Sequence, residues 1–333
     1  MRSESEDQPA RAVLKLATAY WASRCLHIVA ELGIADRLGD EPQTSEALAR
    51  ALDVEAPPLH RILRALASHG IFVHDGERFS HNDASRMLRS AAPGSMRSFA
   101  RMMGLKVHWD AYRELETVLR TGEPPIAKAA PGGFFRYLRA HPDEARVFDE
   151  AMAGKAALTI RLVVESYDFR SFRTIGDIGG GQGHLLYAVL EQARDAQGVL
   201  FDLPEVIERA RERAHLRVNY VGADFFQDAV PACDCYLMMT VLHDWSDAES
   251  ALILANVKAR APRGAKLLLI EGVLDPQARQ DFRVDMDVEM LVMTTGRERT
   301  EAEWRTVLAR GGFRLSRIID AGPSGSIIEA ELA

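Results

Sequence analysis

The sequence predicts an α/β protein: a Rossmann-like domain with a mostly parallel sheet in the C-terminal half, behind an N-terminal all-α, winged-helix module. Three observations carry that expectation. Thr174 to Ile178 reads as a short buried strand, Gly179, Gly181 and Gly183 alternate in the turn after it, and His184 to Gln192 takes up helical periodicity. From 172 to 333, apolar strand-like runs alternate with helical patterns, as a parallel sheet requires. Before residue 90, helical runs lead into Ile71-Phe-Val-His and Arg78-Phe-Ser, which flank Asp75-Gly76, a two-residue hairpin signal.

The chain has 333 residues and 47% hydrophobic content, enough for two domains with a core in each. Met1 to Ala10 is polar and lacks the apolar centre of a signal peptide. Order is expected beyond those first ten residues. No apolar stretch approaches the roughly 20 residues needed to cross a bilayer, so the chain reads as cytoplasmic, with no membrane partner. Cys25, Cys233 and Cys235 give no disulfide framework and read as core thiols. The net charge of −7 argues against a nucleic-acid partner, because phosphates need clustered Lys and Arg.

Residues 11–32 carry apolar groups at helical spacing, and Gly33 can end that helix. Helices follow at Thr44 to Leu52, capped by Thr44 or Ser45, and at Pro57 to Ser68. Residues 33–90 hold seven Arg, no Lys and nine Asp or Glu, a net of −2. A winged helix so charged reads as a packing or dimerisation element rather than a DNA reader. From Pro93 to Tyr167 the pattern is helical and rich in Met and aromatic side chains, including Phe148 and Met152 on the helix of Asp143 to Glu165. Such soft groups suit a core or an apolar pocket for a flat guest. The expected division is 1–92, 93–167 and 168–333.

The glycine loop narrows the ligand. A dinucleotide fingerprint needs glycine at 184 or 186, where His184 and Leu186 stand. What is present is Asp177-x-Gly179-x-Gly181-x-Gly183, an acid that suits an ammonium group, with Asp202 nineteen residues beyond Gly183, at the end of a second strand where an acid accepts from ribose hydroxyls. Ribose, ammonium and no pyrophosphate together point to S-adenosyl-L-methionine. Asp224 and Phe225 fall at a third strand end, placed to meet an adenine amine and cover the base.

Two further strands deliver chemistry to the same edge. Cys235 to Leu242 ends on His243-Asp244-Trp245, and Lys266 to Ile270 ends on Glu271. Histidine is suited to take a proton from a phenol, provided an acceptor fixes its other ring nitrogen. Glu271 is the first candidate for that orienting role and Glu298 the second, just ahead of the capping box Thr300-x-x-Glu303. No carboxylate cluster has metal-ligand spacing, so no metal is expected.

Asp177-Ile-Gly-Gly-Gly-Gln-Gly183, Phe201-Asp-Leu-Pro204, Gly222-Ala-Asp-Phe-Phe226, Leu242-His-Asp-Trp-Ser-Asp247 and Gly296-Arg-Glu-Arg-Thr-Glu-Ala-Glu-Trp304 resemble the homodimeric, metal-independent small-molecule O-methyltransferases. That family includes plant caffeic acid and isoflavone enzymes and bacterial antibiotic-tailoring relatives. The resemblance covers nearly the whole chain, and Leu-His-Asp-Trp is its most specific stretch. It implies His243 as catalytic base with Glu271 and Glu298 flanking it. It implies cofactor contacts at Gly179, Asp202, Asp224, Phe225 and Trp245, to which the loop reading adds Asp177 and Gly181. It also implies an acceptor pocket near Phe148, Met152, Met290 and Met293, and a homodimer whose N-terminal helices help close the partner's site. The chain departs from the family at Met239, where many relatives have lysine, and at Ala223, where glycine is common. The expected activity is methylation of a phenol or enol hydroxyl on a small aromatic metabolite, yielding S-adenosyl-L-homocysteine. The alternatives are a related fold using the cofactor for hydroxylation or a pericyclic reaction, and a winged-helix regulator.

Overall fold

The computed structural model describes residues 8–278, 281–322 and 325–333. Met1 to Asp7, within the polar start, lie outside the described residues. Two compact units divide the chain: Met1–Lys106 with Arg146–Lys155, and Val107–Ala145 with Ala156–Ala333.

In the first unit, the helix expected over 11–32 is two helices, Gln8–Ala17 and Ala19–Glu31, broken at Thr18, whose backbone leaves helical space at φ −106° and ψ 2°. Thr18 turns its hydroxyl back onto the Leu14 carbonyl at 2.8 Å, a local bond that competes with the helical ladder. Gly33 ends the run in the left-handed region, φ +64°. Helices Ser45–Leu52 and Ala56–Ser68 follow, the first capped by the Thr44 hydroxyl accepting the Ala47 N–H. The hairpin forms as Val73–His74 and Arg78–Ser80, and Gln43–Thr44 pairs with its second strand to complete a three-stranded antiparallel sheet. Val29, Ile34, Leu38, Leu48, Leu63, Leu66 and Phe79 close the core of this unit.

Among the described residues, the main sheet of the second unit has seven strands: β1 Thr174–Ile178, β2 Gln197–Asp202, β3 Val218–Gly222, β4 Cys235–Met239, β5 Lys266–Glu271, β6 Phe313–Asp320 and β7 Ser326–Leu332. Their order is β6-β7-β5-β4-β1-β2-β3, and β7 alone runs against its neighbours. Side-chain alternation along β4 feeds two cores: Tyr236 and Met238 pack with Phe201, Leu254 and Trp304, while Cys235 and Leu237 pack with Ile175, Leu186 and Leu268. Strand order reverses between β1 and β4, and in open α/β sheets the crevice beyond that reversal is where ligands sit.

β4 is shorter than the apolar run Cys235 to Leu242 suggests. Thr240 stands at φ +50°, a costly conformation for a β-branched residue, and turns the chain out of the sheet. His243 therefore arrives on a short 3-10 turn, Leu242–Asp244.

Candidate active site

The glycine loop after β1 has the expected backbone. Gly179, Gly181 and Gly183 all adopt positive φ, at 69°, 55° and 79°. The Gly179 N–H bonds the Phe201 carbonyl at 2.8 Å, and Gly183 starts helix His184–Gln192. A side chain at Gly181 would meet open space, so the backbone there can be approached closely. Asp202, ending β2, accepts the Gly181 N–H at 2.8 Å and the Leu203 N–H at 2.7 Å.

Asp177 lies beneath this loop rather than on its face. It is 1% exposed, and neither carboxylate oxygen has a hydrogen-bond partner. Burial, and after it the nearby Asp202 charge, push its carboxyl up to about 7, while the Leu186 N–H, outside good hydrogen-bond geometry, pulls weakly the other way. Residues 177–186 contain no Lys or Arg. Two carboxylates around a cation-free glycine loop fit a positively charged, phosphate-free nucleoside, and S-adenosylmethionine is one.

On the neighbouring loops, Asp224 accepts from the Phe226 N–H and from Gln227 Nε2. Phe225, Phe226 and Trp245 meet edge to face, with ring centroids 4.8–5.8 Å apart, and Phe135 stacks on Trp245 at 5.9 Å. This is an aromatic surface of the kind that holds a purine.

His243 is 6% exposed, and its Nδ1 lies 2.8 Å from Glu298 Oε1. Of the two glutamates expected to orient it, Glu298 makes the bond. Glu271 is engaged elsewhere: its Oε1 accepts the Val241 and Leu242 N–H groups at 3.0 and 2.8 Å, capping the turn that carries the histidine. Glu298 is fixed in turn, since its N–H bonds Asp287 Oδ1 at 2.8 Å and the Arg297 N–H holds the His243 carbonyl at 2.9 Å. Burial alone would lower the His243 pKa. The carboxylates of Asp244, Glu271 and Glu298 outweigh it and raise the value to about 9. Burial lifts Glu271 itself to about 7 against the pull of His243. The ring is thus anchored at Nδ1, with Asp244 Oδ1 3.7 Å from Nε2.

Met290 and Met293 are buried on helix Phe282–Met293 of this unit. Phe148 and Met152 belong to the first unit, against Met102, Val147 and Ala151.

Sequence reasoning missed Arg299. Its side chain is fully buried, and it donates to the carbonyls of Leu242 at 2.8 Å and Trp245 at 2.7 Å, to Asp247 Oδ1 at 2.9 Å and to Ser250 Oγ at 3.3 Å, over the Trp304 ring. One guanidinium therefore grips the chain on both sides of His243. A second arginine bracketing Glu298, inside a run that ends in a buried tryptophan, was the available signal.

Among the described residues, no group of three or more His, Cys, Asp or Glu is arranged to hold a metal, and no helix is long and apolar enough to cross a membrane.

The β6-β7-β5-β4-β1-β2-β3 sheet with its acid-flanked glycine loop defines an S-adenosylmethionine-dependent methyltransferase fold. Residues 112–314 match the O-methyltransferase domain and residues 14–91 the O-methyltransferase dimerisation domain, so the chain belongs to the O-methyltransferase family. It is 38% identical over 324 residues to the phenazine O-methyltransferase PhzM of Lysobacter antibioticus, covering 96% of this chain and 95% of that one. It is 35% identical to the O-demethylpuromycin-O-methyltransferase of Streptomyces alboniger, covering 92% and 84%. The crystal structure of human N-acetylserotonin methyltransferase in complex with S-adenosylmethionine superposes with a TM-score of 0.91 at 25% identity, covering 99% of both chains.

Two predictions follow from this geometry. The folded Asp177 carboxyl binds its proton more tightly than the unfolded one, whose value is 3.8, so the wild type loses stability as pH rises from there through about 7. Asp177→Asn lacks that loss, and its unfolding free energy relative to wild type, from urea melts of the ligand-free protein, should rise between pH 4 and pH 8. An equal difference at both pH values would contradict the assignment. Arg299→Lys keeps the charge and loses the planar fork. It should lower kcat by about tenfold through a misplaced ring, a larger effect than on the calorimetric cofactor Kd, which Trp245 shares in; a wild-type kcat would remove Arg299 from the positioning of His243.

Proposed function

We propose that this enzyme methylates a phenol or enol hydroxyl on a small aromatic metabolite, with His243 as general base. The observation that carries the reading is the buried His243 Nδ1 to Glu298 Oε1 bond at the strand edge that also bears the glycine loop.

When bound, S-adenosylmethionine supplies a methyl group on a sulfonium, open to in-line displacement. The chain's own residues do the rest. Asp202 accepts from the ribose hydroxyls. Gly179 and Gly181 let the backbone approach the ligand. Asp224 meets the adenine amine, and Phe225 and Trp245 cover the base. Asp177, below the loop, contributes negative potential favourable to the ligand's ammonium and sulfonium charges. His243 takes the hydroxyl proton at Nε2, leaving an oxygen nucleophile of higher charge, and Glu298 at Nδ1 holds the ring and stabilises the imidazolium as it forms. Glu271 acts through the backbone of the turn. Met290 and Met293, buried on their helix, line the acceptor's apolar face. The dimerisation domain supports a homodimer, and the exposed Leu14, Leu16, Tyr20 and Trp21 in its first two helices are apolar surface for a second copy.

Incubation with methyl-labelled S-adenosylmethionine and a panel of phenolic and quinone metabolites, read by mass spectrometry, tests the reading. Wild type should yield a labelled product heavier by one methylene, and His243→Ala should lose about 100-fold to 10,000-fold in turnover while still binding the cofactor. An unchanged rate in His243→Ala would overturn the base. Tight cofactor binding with no methylated product across a widening panel would favour a repurposed fold.

A further inference from the structure

A second histidine–glutamate pair in the same unit takes no part in the machinery above. His108 is 4% exposed on helix Lys106–Arg113, and its Nε2 lies 3.4 Å from Glu289 Oε1. One turn along the same helix face, the Tyr112 hydroxyl donates to Glu289 Oε2 at 2.6 Å. Burial, then the charges of Glu289 and Asp285, hold that phenol far above its ordinary value, so it stays a donor.

Two chains of contact join this cluster to the His243 site. Glu289 precedes Met290 on helix Phe282–Met293, and Asp287 of that helix accepts the Glu298 N–H. Phe134 meets the His108 ring edge to face at 5.4 Å, and Phe135 beside it stacks on Trp245, two residues beyond His243.

The informative atom is His108 Nδ1, which is buried and has no hydrogen-bond partner. An unpaired buried polar atom costs about 1–3 kcal/mol, and native folds leave few of them. In the tautomer that donates its Nε2–H to Glu289, Nδ1 presents a lone pair. A lone pair with aromatic neighbours is complementary to an O–H on a flat ring.

We propose that the His108–Glu289–Tyr112 cluster recognises the acceptor, with His108 Nδ1 accepting a hydrogen bond from a second hydroxyl, distinct from the one that is methylated. The substrate class is then a planar aromatic diol. The assignment rests on the methyl-transfer reading for the nature of its ligand and on the His108 geometry for its site.

The test is equilibrium binding to the protein saturated with S-adenosylhomocysteine, using dihydroxyphenazine, monohydroxyphenazine and phenazine-1-carboxylate as probes. Wild type should bind the diol about tenfold more tightly than the monohydroxy probe. His108→Phe should bring that ratio close to one, and His108→Gln, which keeps a hydrogen-bonding group, should restore part of it. The proposal is overturned by a wild-type ratio near one, by a ratio that survives His108→Phe, by failure of wild type to bind any probe, or by preference for the carboxylate, which would make His108 a cationic donor. Binding needs no turnover. A bound diol that accepts no label would count against methyl transfer and leave the recognition site standing.

Discussion

The structure of the site depends on one interaction, the bond between the buried His243 Nδ1 and the buried Glu298 Oε1. In water an imidazole and a carboxylate hold each other weakly; here they are fixed because each is tied to the backbone of a different segment. Thr240 turns β4 out of the sheet in a strained conformation, and Glu271 at the end of β5 satisfies the two N–H groups which that turn exposes. Arg299 collects the carbonyls on both sides of the histidine. Each of these groups is buried and polar, so losing one partner strands another, and the arrangement resists small displacements.

Charge explains why the same loops can serve a cationic ligand. Asp177 and Asp202 surround the glycine loop, and Asp244, Glu271 and Glu298 surround His243. In the ligand-free protein that excess of acid is paid for by raised carboxyl and imidazole pKa values. On the proposed reading, a sulfonium in the crevice would offset it and would favour the neutral ring, the form able to accept a proton. Cofactor charge and protein charge would therefore act on His243 in opposite directions.

The parts of this fold that were legible in the sequence are those whose causes are local. Alternating glycines after Thr174–Ile178 permit the positive φ the loop adopts, Asp75-Gly76 marks a hairpin whose connection, one residue longer than the two expected, runs through Glu77, and Thr300 caps its helix within one turn. The parts that were not legible depend on distant partners. Which glutamate orients His243 is settled 55 residues away, by Asp287 holding the Glu298 backbone and by the Val241 and Leu242 N–H groups occupying Glu271. Tyr112 and Glu289 are 177 residues apart, and their meeting leaves no trace in either local pattern. At Thr18 and at Thr240 apolar residues resume directly after a single threonine, so hydrophobic pattern alone extends both elements too far.

His243 is held among carboxylates with Glu298 at Nδ1, and the most direct test is the titration of its ring nitrogens by NMR in the ligand-free protein, for wild type and Glu298→Gln. The account predicts a midpoint near 9 for wild type, well above the ordinary 6.5, and a lower midpoint in the variant, because removing a neighbouring negative charge disfavours the imidazolium. A wild-type midpoint at or below 6.5, unmoved by the substitution, would contradict it.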